Sequence, residues 1–369
     1  MLNQEQNDLL TRVEKGAPAG NLLRRYWHPI AVAAELTEES PKKRVRFFGE
    51  DLVLFRLPDG SHGLLQEACS HRRASLYYGF IDPDGLRCPY HGWKYDVQGR
   101  CIEQPFERDP NFKNKVCHPS YPVEELSGLL FAYFGPPEKK PLLPNWDLLA
   151  HRDWPRKIEV QPVLNCNWLQ PMENSVDPSH TRYLHGETLR RKRGERQAPY
   201  TLQKVEQFEY ETCEWGIWKR RIFDNGEKEI GHLLLFPNIL RHPASLHFRV
   251  PIDDTHTQII RVIRIESGDY DPDNLPIHHV TFKNDGDEFH LNNFASQDAM
   301  AWETQGPITE RELEMLGDSD RGIITYRKML RDQIELVMQG GEPMAIVRDP
   351  EQNRVIEFET SDWRGRTSD

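Results

Sequence analysis

The spacing of apolar residues changes several times along this chain, and each change predicts a different kind of element. Leu2, Leu9, Leu10 and Val13 fall toward one side of a helix over residues 3–14, which Gly16 and Pro18 then break. Over residues 43–134 short apolar runs, such as Leu52-Val53-Leu54-Phe55 and Leu129-Leu130-Phe131-Ala132, alternate with the turn signals Pro58-Asp59-Gly60 and Pro83-Asp84-Gly85. That is the pattern of a small antiparallel β domain. Gly135-Pro136-Pro137 and the prolines at 141 and 144 form a seam that reads as a domain boundary. Beyond it, Asp224-Asn225-Gly226 separates the apolar runs 218–223 and 230–235, a hairpin signal, and residues 257–265 read as a further strand. Ile323, Tyr326, Leu330, Ile334 and Val337 share one helical face, ended by Gly340-Gly341 and Pro343. There is no internal repeat. The expected fold class is α+β: a helical segment over 1–35, a β domain over 36–140, and over 141–369 a second domain with an antiparallel sheet and at least one long helix.

Composition narrows the function. The chain has 369 residues, 28% of them charged, and a formal charge of −11, which argues against a general nucleic-acid binder. The start MLNQEQNDLL lacks the basic-then-apolar pattern of a signal peptide, and no stretch nears the roughly 18 apolar residues of a membrane span, so a cytoplasmic protein is expected. The basic run LRRKRGER, residues 189–196, reads first as a solvated loop and second as a patch for an acidic partner or an anionic substrate. Cys69, Cys88, Cys101, Cys117, Cys166 and Cys213 do not suggest a disulfide framework in such a chain, which leaves metal ligation and plain burial.

Two of those cysteines have histidine partners. ACSHRRASLYYGFIDPDGLRCPYHGWKYD contains a C-x-H pair (Cys69, His71) and a C-x-x-H pair (Cys88, His91), sixteen residues apart. A structural zinc site with two Cys and two His is the rival. Zinc sites usually pair like with like, whereas each pair here mixes one thiolate with one imidazole. The mixture suits a cluster with two inequivalent irons, in which imidazole replacing thiolate raises the reduction potential. Pro89 and Gly92 favour tight loops, and Tyr90, Trp93 and Tyr95 can shield such a cluster. C-x-H followed by C-P-x-H-G-W-x-Y-D resembles the Rieske domain of aromatic ring-hydroxylating oxygenases. The resemblance implies that Cys69 and Cys88 hold one iron of a 2Fe-2S cluster and His71 and His91 the other.

The second constellation lies in NWLQPMENSVDPSHTRYLHG. His180 and His185 are five residues apart, a spacing that leaves them off one face of a regular α-helix, so a distorted helix or a helix end must bring both to one metal. The run E-N-x-x-D-x-x-H-x-x-x-x-H over 173–185 is similar to the mononuclear iron motif of the same oxygenases, in the same order along the chain. Two His and one carboxylate leave an open face on ferrous iron. The third ligand implied is Asp298, in a Q-D pair followed by G-P-I and L-G-x-S-D as in the phthalate-dioxygenase-like branch. Glu303, Asp318 and Asp320 are nearby alternatives. By the same resemblance Asp177 hydrogen-bonds an iron histidine of its own chain and a cluster histidine of a neighbour, linking His91 of one chain to His180 of the next. Its plain reading is a helix N-cap, and the two are compatible. Asn174 is a looser candidate near the iron.

The likeness extends to Gly16-x-Pro18-x-Gly20, Arg25-Tyr26-Trp27-x-Pro29, Tyr121-Pro122-Val123-Glu124-Glu125 and Phe134-Gly135-Pro136. It implies a Rieske β-sandwich followed by a helix-grip catalytic domain, in a homotrimer that places each cluster beside a neighbour's iron. It also implies a terminal oxygenase that uses O2 and electrons from a separate NAD(P)H-dependent flavin and iron–sulfur reductase to hydroxylate an aromatic, carboxylated substrate. The alternatives are O- or N-demethylation, a pure electron carrier, or a zinc-stabilised binding module. No G-x-G-x-x-G follows a strand, so the nicotinamide is expected to bind elsewhere. Arg190, Arg191, Lys192, Arg193 and Arg241 are candidates to attract a carboxylate or dock the reductase.

Overall fold

Asn3 opens the first helix, α1 (Gln4–Thr11), with a reciprocal cap: its Oδ1 accepts from Gln6 N at 2.8 Å and Gln6 Oε1 accepts from Asn3 N at 3.0 Å. The helix stops before Gly16 and Pro18, as expected, and Pro18 then starts a second helix, α2 (Pro18–Leu23). A proline at the first helical position has no amide hydrogen to lose and a φ already suited to the helix. In this computed structural model the described residues are 2–194, 202–229, 231–266 and 270–358. The chain divides into two units, Arg24–Leu143, and Met1–Leu23 together with Pro144–Asp369. The helical segment read over 1–35 is thus shared between them.

The Arg24–Leu143 unit is all short strands: β1 (Trp27–Val32), β2 (Lys42–Phe47), β3 (Glu50–Arg56), β4 (His62–Gln66), β5 (Phe80–Asp82), β6 (Gly85–Arg87), β7 (Lys94–Tyr95), β8 (Cys101–Glu103), β9 (Ser120–Tyr121), β10 (Val123–Leu126) and β11 (Leu129–Tyr133). They form three sheets, ordered β1-β11-β10, β2-β3-β4-β9 and β5-β6-β7-β8. Val53, Phe55, Leu65, Leu76, Leu86 and Tyr95 pack into one core with Cys69, Cys88 and Cys101.

The larger unit contains α3 (Asp147–Ala150), β12 (Arg156–Val160), α4 (Leu169–Ser175), a π-helical turn (Thr181–Glu187), α5 (Thr188–Arg193), β13 (Val205–Cys213), β14 (Gly216–Phe223), β15 (His232–Leu235), β16 (Ile239–His242), β17 (Ser245–Pro251), β18 (Thr257–Arg264), β19 (Ile277–His279), α6 (Phe294–Glu303) and α7 (Arg321–Met338). Its eight strands form one sheet, β13-β14-β15-β16-β17-β18-β12-β19, antiparallel but for the β12–β19 pair. The expected hairpin is β14–β15; Ile230, placed in its second strand by the sequence, lies outside the described residues, as do 195 and 196 of the basic run. The expected long helix is α7. Tyr326, Leu330 and Ile334 are its buried stripe, and Tyr326 Oη donates to Pro237 O at 2.7 Å. The expected α+β class, a Rieske-type β unit with a sheet-and-helix catalytic unit, is what the chain adopts.

A buried ion network ties the helices of this unit together. Glu173 on α4 accepts from Arg311 Nη2 at 2.8 Å and from Arg327 Nε of α7 at 2.6 Å. Arg327 in turn grips Glu314 with bonds of 2.7 and 2.9 Å, and Arg311 Nη1 donates to Asn7 Oδ1 of α1 at 3.0 Å. Arg241, a candidate anion site by sequence, is another such pair: it meets Asp147 at 2.7 and 3.0 Å, with both side chains 1% exposed, so its charge is already used.

Burial opposes the charge on Glu173, but the two guanidinia overcome it and hold its pKa below the usual carboxylate value. A depressed folded-state pKa adds stability that is complete above the unfolded value of about 4.3 and is lost as pH falls through the folded value. Glu173→Ala leaves Arg311 buried with no carboxylate and Arg327 with Glu314 alone, and is expected to cost about 3–5 kcal/mol at pH 7. Urea unfolding of mutant and wild type checks this, and the difference should shrink toward pH 3.

Two candidate metal centres

Both cysteine–histidine pairs sit on tight loops of the β unit. The first follows β4 and is closed by Cys69 N→Ala74 O at 2.9 Å and Arg73 N→Cys69 O at 2.8 Å. The second connects β6 to β7 and is closed by Cys88 N→Trp93 O at 2.8 Å and Gly92 N→Cys88 O at 3.1 Å. Gly92 has φ of +75°, a conformation that side chains resist. Cys69 and Cys88 are buried, and Tyr95 Oη lies 3.2 Å from Cys69 Sγ, the donor if that sulfur is a thiolate. Burial, and then the neighbouring Cys69 sulfur, push the Cys88 thiol up, which disfavours a bare thiolate there. A bound cation reverses that preference.

The imidazoles of His71 and His91 meet with ring centroids 4.6 Å apart, and Trp93 stacks on His71 at 4.4 Å and 7°. Nδ1 of both rings is buried with no hydrogen-bond partner, as expected of nitrogens reserved for metal. A single zinc ion would draw its ligands to within about 4.6 Å of one another. Among the described residues His180, His185 and Asp298 bring three donor atoms within 4.8 Å of one another. One supporting residue escaped the sequence reading. Buried His118 donates from Nε2 to Gln66 O at 2.7 Å, so its Nδ1 accepts from Ser70 Oγ at 2.7 Å. Ser70 lies between Cys69 and His71, and no local pattern marks a histidine 48 residues away as its partner.

The second centre is built on the π-helical turn. His180 precedes Thr181–Glu187 and His185 lies within it. The wider turn brings a five-residue spacing to one side, and the rings stand 5.1 Å apart at 80°. Upstream, Asp177 Oδ1 accepts from Ser179 N at 2.7 Å and Ser179 Oγ at 2.5 Å, the expected capping role. Its other oxygen faces His180 Nδ1 at 3.4 Å, without hydrogen-bond geometry. Burial opposes ionisation of Asp177, yet His180 and Ser179 together hold its carboxyl down to about 2.

Asp298 comes from α6, which starts where Asn293 Oδ1 accepts from Ser296 N at 2.8 Å. Asp298 Oδ1 lies 3.3 Å from His185 Nε2, and the donor atoms of His180, His185 and Asp298 all fall within 4.8 Å. Nδ1 of His180 and Oδ1 of Asp298 are buried without a hydrogen bond. These residues fit a divalent ion in a two-His-one-carboxylate site. Glu303, by contrast, is turned away: its Oε1 accepts from Asn165 N at 3.1 Å. Asp318 is exposed and reaches Arg321, and Asp320 Oδ2 accepts from Gly317 N at 2.7 Å. Asn174 is in the last turn of α4, its carbonyl accepting from Asp177 N at 3.0 Å. In the basic run Arg190 and Arg191 fold back on Glu187, at 2.7 and 3.5 Å.

Gln297 is the residue that sequence reasoning passed over. Its Nε2 donates to Leu291 O at 2.9 Å, which orients the amide so that Oε1 accepts from His185 Nδ1 at 2.8 Å. The proton is thereby fixed on Nδ1 and the lone pair of Nε2 is left for the metal.

Residues 26–122 match the Rieske [2Fe-2S] domain, and residues 273–366 match a domain described as LigXa C-terminal domain like. The 5,5'-dehydrodivanillate O-demethylase oxygenase subunit of Sphingobium sp. is 40% identical over 98% of this chain and 87% of its own. The chain belongs to the Rieske oxygenase alpha subunits. Other relatives are the phenoxybenzoate dioxygenase subunit alpha of Ectopseudomonas oleovorans, 35% identical over 91% of this chain and 87% of its own, and the phthalate 4,5-dioxygenase oxygenase subunit of Pseudomonas putida, 31% identical over 99% and 94%. The terminal oxygenase of carbazole 1,9a-dioxygenase from Novosphingobium sp. KA1 shares the fold, with a TM-score of 0.63, 21% identity, and 88% of this chain and 94% of that one covered. As a Rieske oxygenase, the protein uses a 2Fe-2S cluster and a mononuclear iron.

Gln297→Leu leaves His185 Nδ1 without its acceptor and is expected to weaken iron retention about 10–100-fold. Iron per chain after dialysis against a chelator measures this, with the cluster's visible spectrum unchanged and Gln297→Glu retaining most of the iron. Wild-type retention in Gln297→Leu would remove that residue from the site.

Proposed function

We propose that this chain is the oxygen-activating component of a system that inserts oxygen into an aromatic substrate. Cys69, His71, Cys88 and His91 hold the cluster, and His180, His185 and Asp298 hold the iron. The observation that carries the reading is the convergence of those last three donor atoms, within 4.8 Å, from a π-turn and a helix more than a hundred residues apart. Three ligands on one side leave the opposite face open.

When bound, the iron supplies the activation of dioxygen and the cluster supplies electrons one at a time. The chain's own residues position and insulate. Gln297 keeps His185 in the liganding tautomer. Trp93 covers His71, and Tyr95 donates toward a Cys69 thiolate. Asp177 lies 3.4 Å from His180 in its own chain, and on this reading it joins that imidazole to His91 of a neighbouring chain in a ring of three copies. A separate NAD(P)H-dependent flavin and iron–sulfur reductase supplies the electrons. No helix among the described residues is long and apolar enough to cross a membrane, and we place the system in the cytoplasm, where nicotinamide is at hand.

The likeness to an O-demethylase subunit over almost the whole chain favours removal of an aryl O-methyl group, since oxygen insertion at the methyl carbon gives a hemiacetal that collapses to phenol and formaldehyde. Ring hydroxylation, as named for the two dioxygenase relatives, is the second reading. Oxygen uptake with a reductase and a panel of methoxylated and unsubstituted aromatics, with product and formaldehyde analysis, separates the two. Uptake without a changed aromatic product would overturn both.

Two substitutions test the assignments. His180→Ala is expected to lose the mononuclear iron and keep the cluster spectrum; loss of both would count against separate centres. Asp177→Asn is expected to keep both metals while turnover falls at least about a hundredfold, and wild-type rates in that variant would end the link proposed for Asp177.

A further inference from the structure

The chain on either side of Cys69 is held by one buried side chain that belongs to neither cysteine–histidine loop. His118 lies just before β9 and is 0% exposed. Its amide donates to Gly99 O at 2.8 Å, and Gly99 has φ of +77°. A Cβ at Gly99 would meet His118 O at 2.1 Å, so glycine is what lets the two backbones approach. From that fixed position the imidazole reaches two points. Nε2 donates to Gln66 O at 2.7 Å, and Nδ1 accepts from Ser70 Oγ at 2.7 Å. Gln66 ends β4, ahead of Cys69, and Ser70 follows Cys69 directly. Gln66 N returns a bond to Pro119 O at 2.9 Å, which ties the same two segments once more.

The same ring packs on Tyr95, with centroids 4.6 Å apart and planes at 32°. Tyr95 is fully buried, and its hydroxyl lies 3.2 Å from Cys69 Sγ. His118 therefore touches the chain before Cys69, the chain after it, and the tyrosine aimed at its sulfur. A carbonyl can only accept, so the proton is on Nε2 and Nδ1 carries the lone pair. Burial also holds the pKa of His118 below the ordinary histidine value. The ring brings no charge to the site; what it brings is position. A hydrogen bond to a liganding sulfur draws electron density away from the metal and raises the reduction potential of a cluster. The worth of such a bond depends on its length and direction.

We propose that His118 is a positioning residue for the cluster: it keeps Cys69 and the Tyr95 hydroxyl in register and so helps set the potential at which the cluster takes up an electron. This rests on the assignment of Cys69 as a cluster ligand. Without the imidazole the 69–74 loop keeps its own bonds, Cys69 N→Ala74 O and Arg73 N→Cys69 O, but Ser70 loses its acceptor and Tyr95 the face it rests on. The hydroxyl-to-sulfur contact then slackens, and the oxidised cluster is favoured.

The test is a dye-mediated reductive titration of the intact, metal-loaded protein, followed by the cluster's visible spectrum and its electron-paramagnetic signal. Tyr95→Phe removes the donor and is expected to lower the equilibrium constant for electron uptake about tenfold. His118→Phe should lower it at least about threefold in the same direction, and Ser70→Ala by less. His118→Asn, which keeps an acceptor for Ser70, should recover part of the loss. Adding His118→Phe to Tyr95→Phe should lower it little further, because both act through one contact. A wild-type potential in His118→Phe with a full cluster, even where thermal stability is lost, makes His118 a packing residue and overturns the proposal. A shift that adds in full to that of Tyr95→Phe overturns it too. Should His118→Phe fail to fold, Ser70→Ala decides, and an unmoved potential there sinks the idea. Wild-type protein without acid-labile sulfide would instead remove the cluster assignment, so the two failures stay distinct.

Discussion

A five-residue interval between two histidines proposed to share one metal is the wrong interval for an α-helix, where residues three and four apart are neighbours. Much of the catalytic unit serves to accommodate it. The chain widens into a π-helical turn over Thr181–Glu187, and His180 and His185 then present their rings to a common point. Such a turn has poorer hydrogen bonding than the regular helix on either side, so it persists only where its surroundings hold it. On one side Asp177 and Ser179 cap the entry. On the other, α6 delivers Gln297 to Nδ1 of His185 and Asp298 to its Nε2, both atoms of one ring engaged by consecutive residues. Behind α4 the Glu173 network fixes the segment that leads into the turn. Stability and chemistry meet at the same few residues.

The β unit solves a different problem with the same economy. A cluster with two kinds of ligand needs two short loops that hold their own shape, and the amides of Tyr90 and His91, which bond the Cys88 sulfur, favour its thiolate. The hydrogen bonds closing 69–74 and 88–93 meet that need, and the sheet registers around β4 and between β6 and β7 bring the loops together. The result is two sulfurs inside a dry core and two imidazoles nearer its surface, an asymmetry that matches one oxidised and one reducible iron.

What could be read from the sequence was what is local. Each Cys/His pair and the His180–His185 run lie within a few residues, and α7 and the β14–β15 hairpin announce themselves by period. Asp298 was reached only through the resemblance to a family, since nothing in its own neighbourhood distinguishes it from Glu303 or Asp318. The π-turn was legible only as a requirement: the spacing demanded a distortion without saying which. The break expected at Gly16 and Pro18 is there, since α1 stops at Thr11, but that Pro18 also opens α2 went unread. Arg241 failed as an anion site because its partner, Asp147, is 94 residues away, and pairing across such a distance leaves no trace in composition. Gln297 and His118 were invisible for a related reason: an amide or an imidazole acquires its role from what folding sets against it.

The inner sheet face shows how pairing separates structure from function. Three buried arginines of this unit, Arg221, Arg241 and Arg311, and the half-buried Arg261 are matched by carboxylates within 3.1 Å, which lowers the cost of holding their charge inside. Their cost is met within the chain, so they say little about ligands. Arg249 and Lys219 break that rule on the same sheet, and after burial the strongest influences on them are Asp298 and Asp177 respectively. Adding a dication to Asp298 makes the local imbalance larger and more positive. A buried guanidinium left open in this way costs stability that an ion pair elsewhere on the sheet does not return.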